Sequence, residues 1–423
     1  MHTTHPSPPL LLLGTGAREA REFVLQQITV THHVVLVDDE LATWARPYVQ
    51  HHLAVDLTDG DGTAATVKAY AADHEVAGVA TYMEHHVVTA AQLAQDLALP
   101  SNRPEAMVAC RDKAQTRRLL EEHAVPSARS LQAGDVDEAV AHAELLGYPV
   151  VVKPRAMAGS AGVVRADNAH QVRGAYSRAS SETVLGLDRF AVPGVLVEEY
   201  LDGPEISAET VVLRPGATRI VAVTRKTLGP LPTFQEFGHC VDANDELLSD
   251  PRLAEVVAAT VDALGITLGV LHIELRLTSR GPAVIEVNAR LGGDHIPRLV
   301  QIATGLNLPR AVADLAAGRQ PDLTATTRRA AAIGFAYPPT NGVIQQLGMP
   351  ADIICQPGIE HFRWTQQVGN RVAAPPHASI SDRMAHWIVT GADATECTTR
   401  LEGVERHLSA HIAGPVHTTS CTN

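Results

Sequence analysis

Short apolar runs alternate with helix-like polar periodicity through the first part of the chain. Leu10–Leu13, Val34–Val37 and Val76–Thr81 predict parallel strands, with helices near Ala17–Gln27 and Val87–Leu97. A helix over Asp112–His123 leads into a second α/β unit. There Tyr148–Lys153 and Val195–Tyr200 read as strands, Ala156–Gly162 as a small-residue loop, and the polar stretch Arg173–Arg189 as a mobile helix. Strand-like runs return from Ile206 to Asn288, interrupted by an amphipathic helix over Asp250–Leu264. Beyond residue 330, short strands and Pro/Gly turns (Pro338-Pro339, Asn341-Gly342, Pro357-Gly358) predict a closing β-rich subdomain. The fold class is α/β.

Composition narrows the function classes. The chain of 423 residues has room for two or three cores. A formal net charge of −13 argues against a general nucleic-acid or anionic-membrane surface, so no nucleic acid and no membrane is expected as a partner. Five scattered cysteines (Cys110, Cys240, Cys355, Cys397, Cys421) without CxxC spacing fit a reducing, cytoplasmic setting and no zinc site. Leu10–Leu13 is too short for a signal segment, and Asp262 breaks the long apolar stretch Val256–Leu271. The adjacent pairs His32-His33, His51-His52 and His85-His86 cannot converge on one ion, because neighbouring side chains point apart.

The segment Ala283–Asp294 carries the densest chemistry. Read as a strand, it sets Glu286, Asn288 and Arg290 on one face, with Val284, Val287 and Ala289 available for burial. Glu274 lies in a second apolar run, Val270–Leu275, twelve residues before Glu286. Two carboxylates and an amide oxygen suit Mg²⁺ beside phosphate, and an arginine suits a phosphoryl oxygen. The alternative is a hairpin whose outer face is charged. Lys153 ends the apolar run Val150-Val151-Val152, which is costly unless its ammonium meets an anion. The glycines of Gly159-Ser160-Ala161-Gly162 would let backbone N–H groups approach a phosphate, although a plain turn has the same composition. Lys113 opens a helix forty residues upstream of Lys153, either towards the same phosphates or into solvent. By contrast, Gly14-Thr15-Gly16 resembles a dinucleotide turn with Glu19 in place of its third glycine, and a tight structural turn is the better reading.

The order of these pieces resembles the ATP-grasp superfamily: a lysine, strand-Lys-Pro, a glycine loop, Glu198-Glu199-Tyr200-Leu201-x-Gly-x-Glu205, an acid strand, then E-x-N-x-R. The resemblance is strongest over Asp112–Gly293. It implies an ATP-grasp fold with an N-terminal Rossmann-like parallel-sheet domain (1–110), a linker helix and small mobile α/β lid (111–205), a central sheet with the metal site (206–330) and a C-terminal β-rich region (331–423). It further implies that Lys113 and Lys153 contact ATP phosphates and that Gly159, Ser160 and Gly162 form the closing loop. Glu198, Glu199 and Leu201 would frame the adenine, and Glu205 would hold the ribose. Glu274, Glu286 and Asn288 would bind Mg²⁺, with Mn²⁺ as a substitute, and Arg290 would meet the transferring phosphoryl group.

A narrower resemblance links Glu84, the segment Gln235–His239 and Gly292-Gly293 to the bacterial L-amino-acid ligases, the dipeptide-forming branch that includes the bacilysin and dapdiamide synthetases. It implies that Glu84 holds a substrate ammonium and that Glu236 and His239 line the metal and substrate pocket, with Arg290, His239 and Glu236 as catalytic residues. Trp364 matches no motif and reads as core. The implied activity is an ADP-forming ligation of an amino-acid carboxylate to an amine through an acyl phosphate, in natural-product biosynthesis. Small-molecule amino acids are the expected partners, and a homodimer the expected assembly. The competing readings are another branch, biotin-carboxylase-like or purine-pathway, and a non-catalytic ATP-binding module.

Overall fold

The computed structural model describes residues 7–157, 159–181 and 192–414. Its N-terminal unit is a four-stranded parallel sheet in the order His51–Ala54, Val34–Asp38, Leu10–Leu13, Gly78–Ala80. Helices Arg18–Thr29 and Val87–Asp96 follow the expected pattern. Strand His51–Ala54 and helix Gly60–Asp73 carried no clear sequence signal. Only Leu53 is buried in the edge strand, and only Thr63 and Val67 in the helix, so neither shows a full apolar period. The Gly14–Gly16 segment is a structural turn: Thr15 donates from its backbone N and its hydroxyl to the Asp38 carboxylate at 2.8 and 2.7 Å.

The second unit is a four-stranded antiparallel sheet ordered Ser130–Ala133, Val195–Glu199, Val150–Pro154, Val164–Ala166. Helices Val136–Leu146 and Ala169–Ser181 cover it through Ala139, Ala143, Val172, Ala175 and Ala179. The latter is described as far as Ser181, and residues 182–189 of the helix expected over Arg173–Arg189 lie outside the described residues, as does Cys421.

The centre of the molecule is an eight-stranded antiparallel sheet. Its order is Gly281–Asn288, Gly269–Thr278, Glu205–Val212, Thr218–Leu228, Glu236–Asp242, Ala330–Ala336, Ala385–Gly391, Ile359–Trp364. Three strands from beyond residue 329 therefore continue the sheet that carries the acid strands, rather than closing off as a subdomain. Only Arg371–Val372, Gly342–Gly348 and Ser409–Ala413 form a sheet of their own. The reason is pairing across a long sequence separation: Gly238 lies opposite Gly334 and Ile333 opposite Ile388. Trp364 packs edge-on against Phe362 at 5.3 Å on the hydrophobic cluster behind these strands.

Helix Pro251–Ala263 covers one face of the sheet. Asp250 caps it by accepting from Arg252 N, Pro251 supplies the first turn, and Leu253, Val256, Val257, Thr260 and Val261 repeat at helical spacing on the buried side. The other face carries helices Ile296–Thr304 and Leu308–Ala316, on which Val24, Leu25 and Ile28 of Arg18–Thr29 pack. Each such side chain stabilises the joint by about 1.5–3 kcal/mol. The N-terminal helix is thereby held against the segment that follows Asn288. Among the described residues no helix is long and apolar enough to cross a membrane.

Gly78 marks how closely the units meet, because a Cβ there would run into the Ala316 carbonyl. Gly78→Ala should cost about 1–3 kcal/mol by overpacking. A denaturant midpoint equal to that of the parent chain would show that this contact is not tight.

Candidate functional site

A cavity of about 320 Å³ lies where the small antiparallel sheet, the central sheet and helix Arg18–Thr29 meet. Its floor is built by two paired strands. Glu274 lies opposite Glu286 and His272 opposite Asn288, with Ile285 bulged out between Glu286 and Val284. Opposed residues of an antiparallel pair share a face, so both carboxylates and the amide open on the cavity. The strand ends at Asn288, so Arg290 sits in the following turn. It still reaches the group: Arg290 Nη2 donates to Asn288 Oδ1 at 3.1 Å, and Nε lies 2.8 Å from Glu84.

Lys113 and Lys153 face this floor from the roof. Asp112 caps the helix Lys113–Glu122, accepting from Ala114 N and pairing with Arg155. Lys113 donates to the Met157 carbonyl at 2.6 Å and lies 3.4 Å from Glu286. Lys153 pairs with Glu198 at 2.6 Å, both buried. Burial pushes the Lys153 ammonium down to about 8, more than Glu198 raises it. Burial also acts on Glu198, but Arg117 and Lys153 outweigh it and hold that carboxyl at about 2. The loop expected to close over the cavity does line it at Gly159 and Ser160. Gly159 has φ +66°, and a Cβ there would collide with Ile380 from the C-terminal part of the chain.

Several expected residues are placed differently. The Glu198 side chain is not free to meet a base: Arg117 clamps it at 2.8 Å and also donates to the Val284 carbonyl, tying the small sheet to the strand that carries Glu286. Glu199 pairs with Arg129 and Arg280 at 3.3 and 2.6 Å, and Leu201 is buried, which leaves their backbone groups for an adenine edge. Glu205 lines the cavity with its carboxylate already held, by Arg276 at 3.0 Å and Lys226 at 3.3 Å, because both buried cations need an anion. Glu84 is not part of the cavity wall; it stands behind Arg290 and neutralises it. Gly292 and Gly293 do line the cavity.

The hub of the site is a residue without a sequence motif. Lys226, its side chain 1% exposed, lies 2.9 Å from Glu236, 3.1 Å from Glu274 and 3.3 Å from Glu205, on four consecutive strands of the sheet. Burial opposes its charge, yet the three carboxylates hold it well above the ordinary lysine range. Burial raises Glu205, whereas at Glu274 Lys226 and His272 outweigh burial and hold the carboxyl low. His272 is clamped by Glu209 at 3.0 Å and by Glu274 at 3.1 Å, and against its burial these acids raise it to about 9. Thr224 and Arg225 separate Lys226 from the apolar run Val221-Ala222-Val223, so no lysine directly ends an apolar run here as Lys153 does.

A second cluster joins Glu236, His239 and Asp294, whose ligand atoms lie within 4.8 Å of one another. His239 Nε2 is 3.3 Å from Asp294. Arg383 already supplies positive charge here, 2.8 Å from Asp294 and 3.7 Å from Glu236, with its guanidinium over the Phe335 ring. Burial raises Asp294, but Arg383 and His239 hold it well below the usual range. No periodic pattern marked Arg383; it arrives from the turn before Ala385–Gly391.

Lys226→Met should leave three buried carboxylates without their shared cation, costing about 3–5 kcal/mol at neutral pH. Because Glu274 is held below its ordinary value of 4.5, the native contribution is complete above that pH and fades beneath it. The deficit of the variant, read from urea unfolding, should therefore shrink in acid. A deficit independent of pH would remove Lys226 from this role.

The ATP-grasp N-terminal domain matches residues 29–101 and the ATP-grasp domain residues 146–298. Carnosine synthase 1 of Homo sapiens is 28% identical over 75% of this chain, which spans only 41% of that protein. Phosphoribosylamine–glycine ligase of Streptomyces coelicolor is 28% identical over 92% of this chain and 93% of its own length. The crystal structure of an L-amino acid ligase from Bacillus licheniformis superposes with a TM-score of 0.80 over 97% of this chain and 100% of that one, at 21% identity, a likeness of fold. The domain matches, the two-way coverage and the shared fold together show that this chain belongs to the ATP-grasp superfamily.

Proposed function

We propose that this chain is an ATP-dependent carboxylate–amine ligase acting on amino acids, with Mg²⁺ at Glu274, Glu286 and Asn288. The observation that carries this reading is the cavity itself: two opposed carboxylates and an amide on the floor, two lysines on the roof and Arg290 at the edge. These hard oxygen donors fit Mg²⁺, and the cations now beside them (Lys113 at Glu286, Lys226 and His272 at Glu274) show that the strands are built to balance positive charge. When bound, the ion would neutralise charge on the phosphates.

This chain's own residues would do the following. Lys113 and Lys153 would hold the phosphates, and backbone groups near Glu199 and Leu201 the adenine. A substrate carboxylate oxygen would bond to the γ-phosphorus as the bond to the departing ADP oxygen breaks, with Arg290 on the phosphoryl oxygens. An amine nitrogen would then bond to the acyl carbon, the carbon–oxygen bond to phosphate would break, and inorganic phosphate would leave. Arg290 and the backbone at Gly292-Gly293 would hold the oxyanion. His239, which lines the cavity and is bonded through Nε2 to Asp294, or Glu236 beside it would take the amine proton. Phosphoribosylamine–glycine ligase, by its name, joins an amine to glycine, which supports the reaction class. The dipeptide-forming branch rests on the resemblance carried by Glu84, Gln235–His239 and Gly292-Gly293, together with the fold shared with an L-amino acid ligase.

Release of ADP and phosphate across a matrix of paired amino acids, with products weighed by mass spectrometry, tests the reading. The expected result is a product mass equal to both substrates less one water, and its loss in Glu286→Gln. ATP turnover without condensation for every acid and amine would refute it. The depressed Lys153 adds a pH dependence. Phosphate binding should restore the ammonium, so ATP affinity should weaken as pH rises through about 8. Flat ATP binding between pH 7 and 9.5, followed by calorimetry, would take Lys153 off the phosphates.

A further inference from the structure

The cavity has a second end, away from the two lysines, where the wall is helix Arg18–Thr29 on one side and Ile296–Pro297 on the other. Arg21 and Arg290 line it there, Arg383 is paired to Asp294 of the lining, and two of these three arginines have their counter-ions. Arg290 pairs with Glu84 at 2.8 Å and Arg383 with Asp294 at 2.8 Å. Arg21 makes no ion pair within 4.0 Å among the described residues. It is partly exposed, lines the cavity, and rests 5.4 Å over the ring of Tyr82, whose hydroxyl donates to the Thr15 carbonyl. The aromatic face fixes the guanidinium without neutralising it. Burial and the neighbouring Arg290 lower Arg21 to about 10, which still leaves it cationic at neutral pH. The charges acting on it are Arg290, Asp294 and Glu84, none of which belongs to the Lys113–Lys153 end. A cation held in a protein wall with an open fork of donors is a site for an anion.

We propose that Arg21 binds the free carboxylate of the amine substrate, so that the acceptor is an amino acid or a peptide with a free C-terminus rather than a simple amine. This rests on the ligase reading above. The acid that is activated brings its carboxylate to Arg290 and the metal strands, where it becomes the acyl phosphate. An anion at Arg21 therefore belongs to the other substrate. One unpaired positive charge matches a monoanion. A dianionic phosphate would leave a negative charge uncompensated beside Asp294 and Glu84. Val24, Ile296 and Pro297 supply apolar wall for a side chain on that same substrate.

The test compares glycine, L-alanine and L-leucine with glycinamide, L-alaninamide and L-leucinamide as acceptors, in the parent chain, Arg21→Gln and Arg21→Lys. Hydroxylamine trapping of the acyl phosphate is run in parallel without acceptor. The parent should favour each amino acid over its amide in kcat/KM by on the order of 10- to 100-fold, the discrimination of a charged hydrogen-bonded pair. In Arg21→Gln that ratio should fall towards one, and Arg21→Lys should recover part of it. Equal losses for acids and amides, or no preference in the parent, would overturn the assignment. So would a loss in Arg21→Gln that follows the donor acid in the hydroxylamine trap. Absence of any hydroxamate in the parent would instead refute the ligase reading, and this inference with it.

Discussion

A lysine ammonium inside a β-sheet must be balanced or neutralised, and Lys226 is balanced three times over. Glu205, Glu236 and Glu274 reach it from the neighbouring strands, so the middle of the eight-stranded sheet is joined by charge as well as by backbone hydrogen bonds. Isolated buried charges cost several kcal/mol each, and only a mutually satisfied set is tolerated. Lys226 therefore dictates where these carboxylates lie. It holds Glu205 at the cavity wall, keeps Glu274 ionised beside Glu286, and sets Glu236 next to His239. The acidic floor of the cavity can exist in the empty protein because this ammonium sits beneath it.

Two further ionic groups place the remaining walls. Arg117 and Lys153 share Glu198, and Arg117 also grips the carbonyl of Val284, so the small sheet is registered on the strand that carries Glu286. Arg383 and Asp294 do the same for the opposite wall, drawing the turn before Ala385–Gly391 onto the residues after Arg290. Apolar packing completes the frame, with Val24, Leu25 and Ile28 against the helix Ile296–Thr304. The cavity thus separates into an end where lysines face the acid strands and an end where arginines gather.

Local sequence determined the pieces and, through their order, the superfamily. Alternation along Ala283–Asn288, the valines before Lys153, the Asp112 cap before Lys113 and the glycines near Gly159 are all short-range signals, and each element formed where those signals put it. Tertiary structure decided which charges meet. Glu84 against Arg290, Glu205 against Lys226 and Arg276, and Asp294 against Arg383 join residues 50 or more apart, or on different strands, and no periodicity encodes such a partner. The C-terminal strands entered the central sheet for the same reason. A side chain's residue type says that it needs a counter-ion, while the strand register and the low dielectric of the interior select which one it receives.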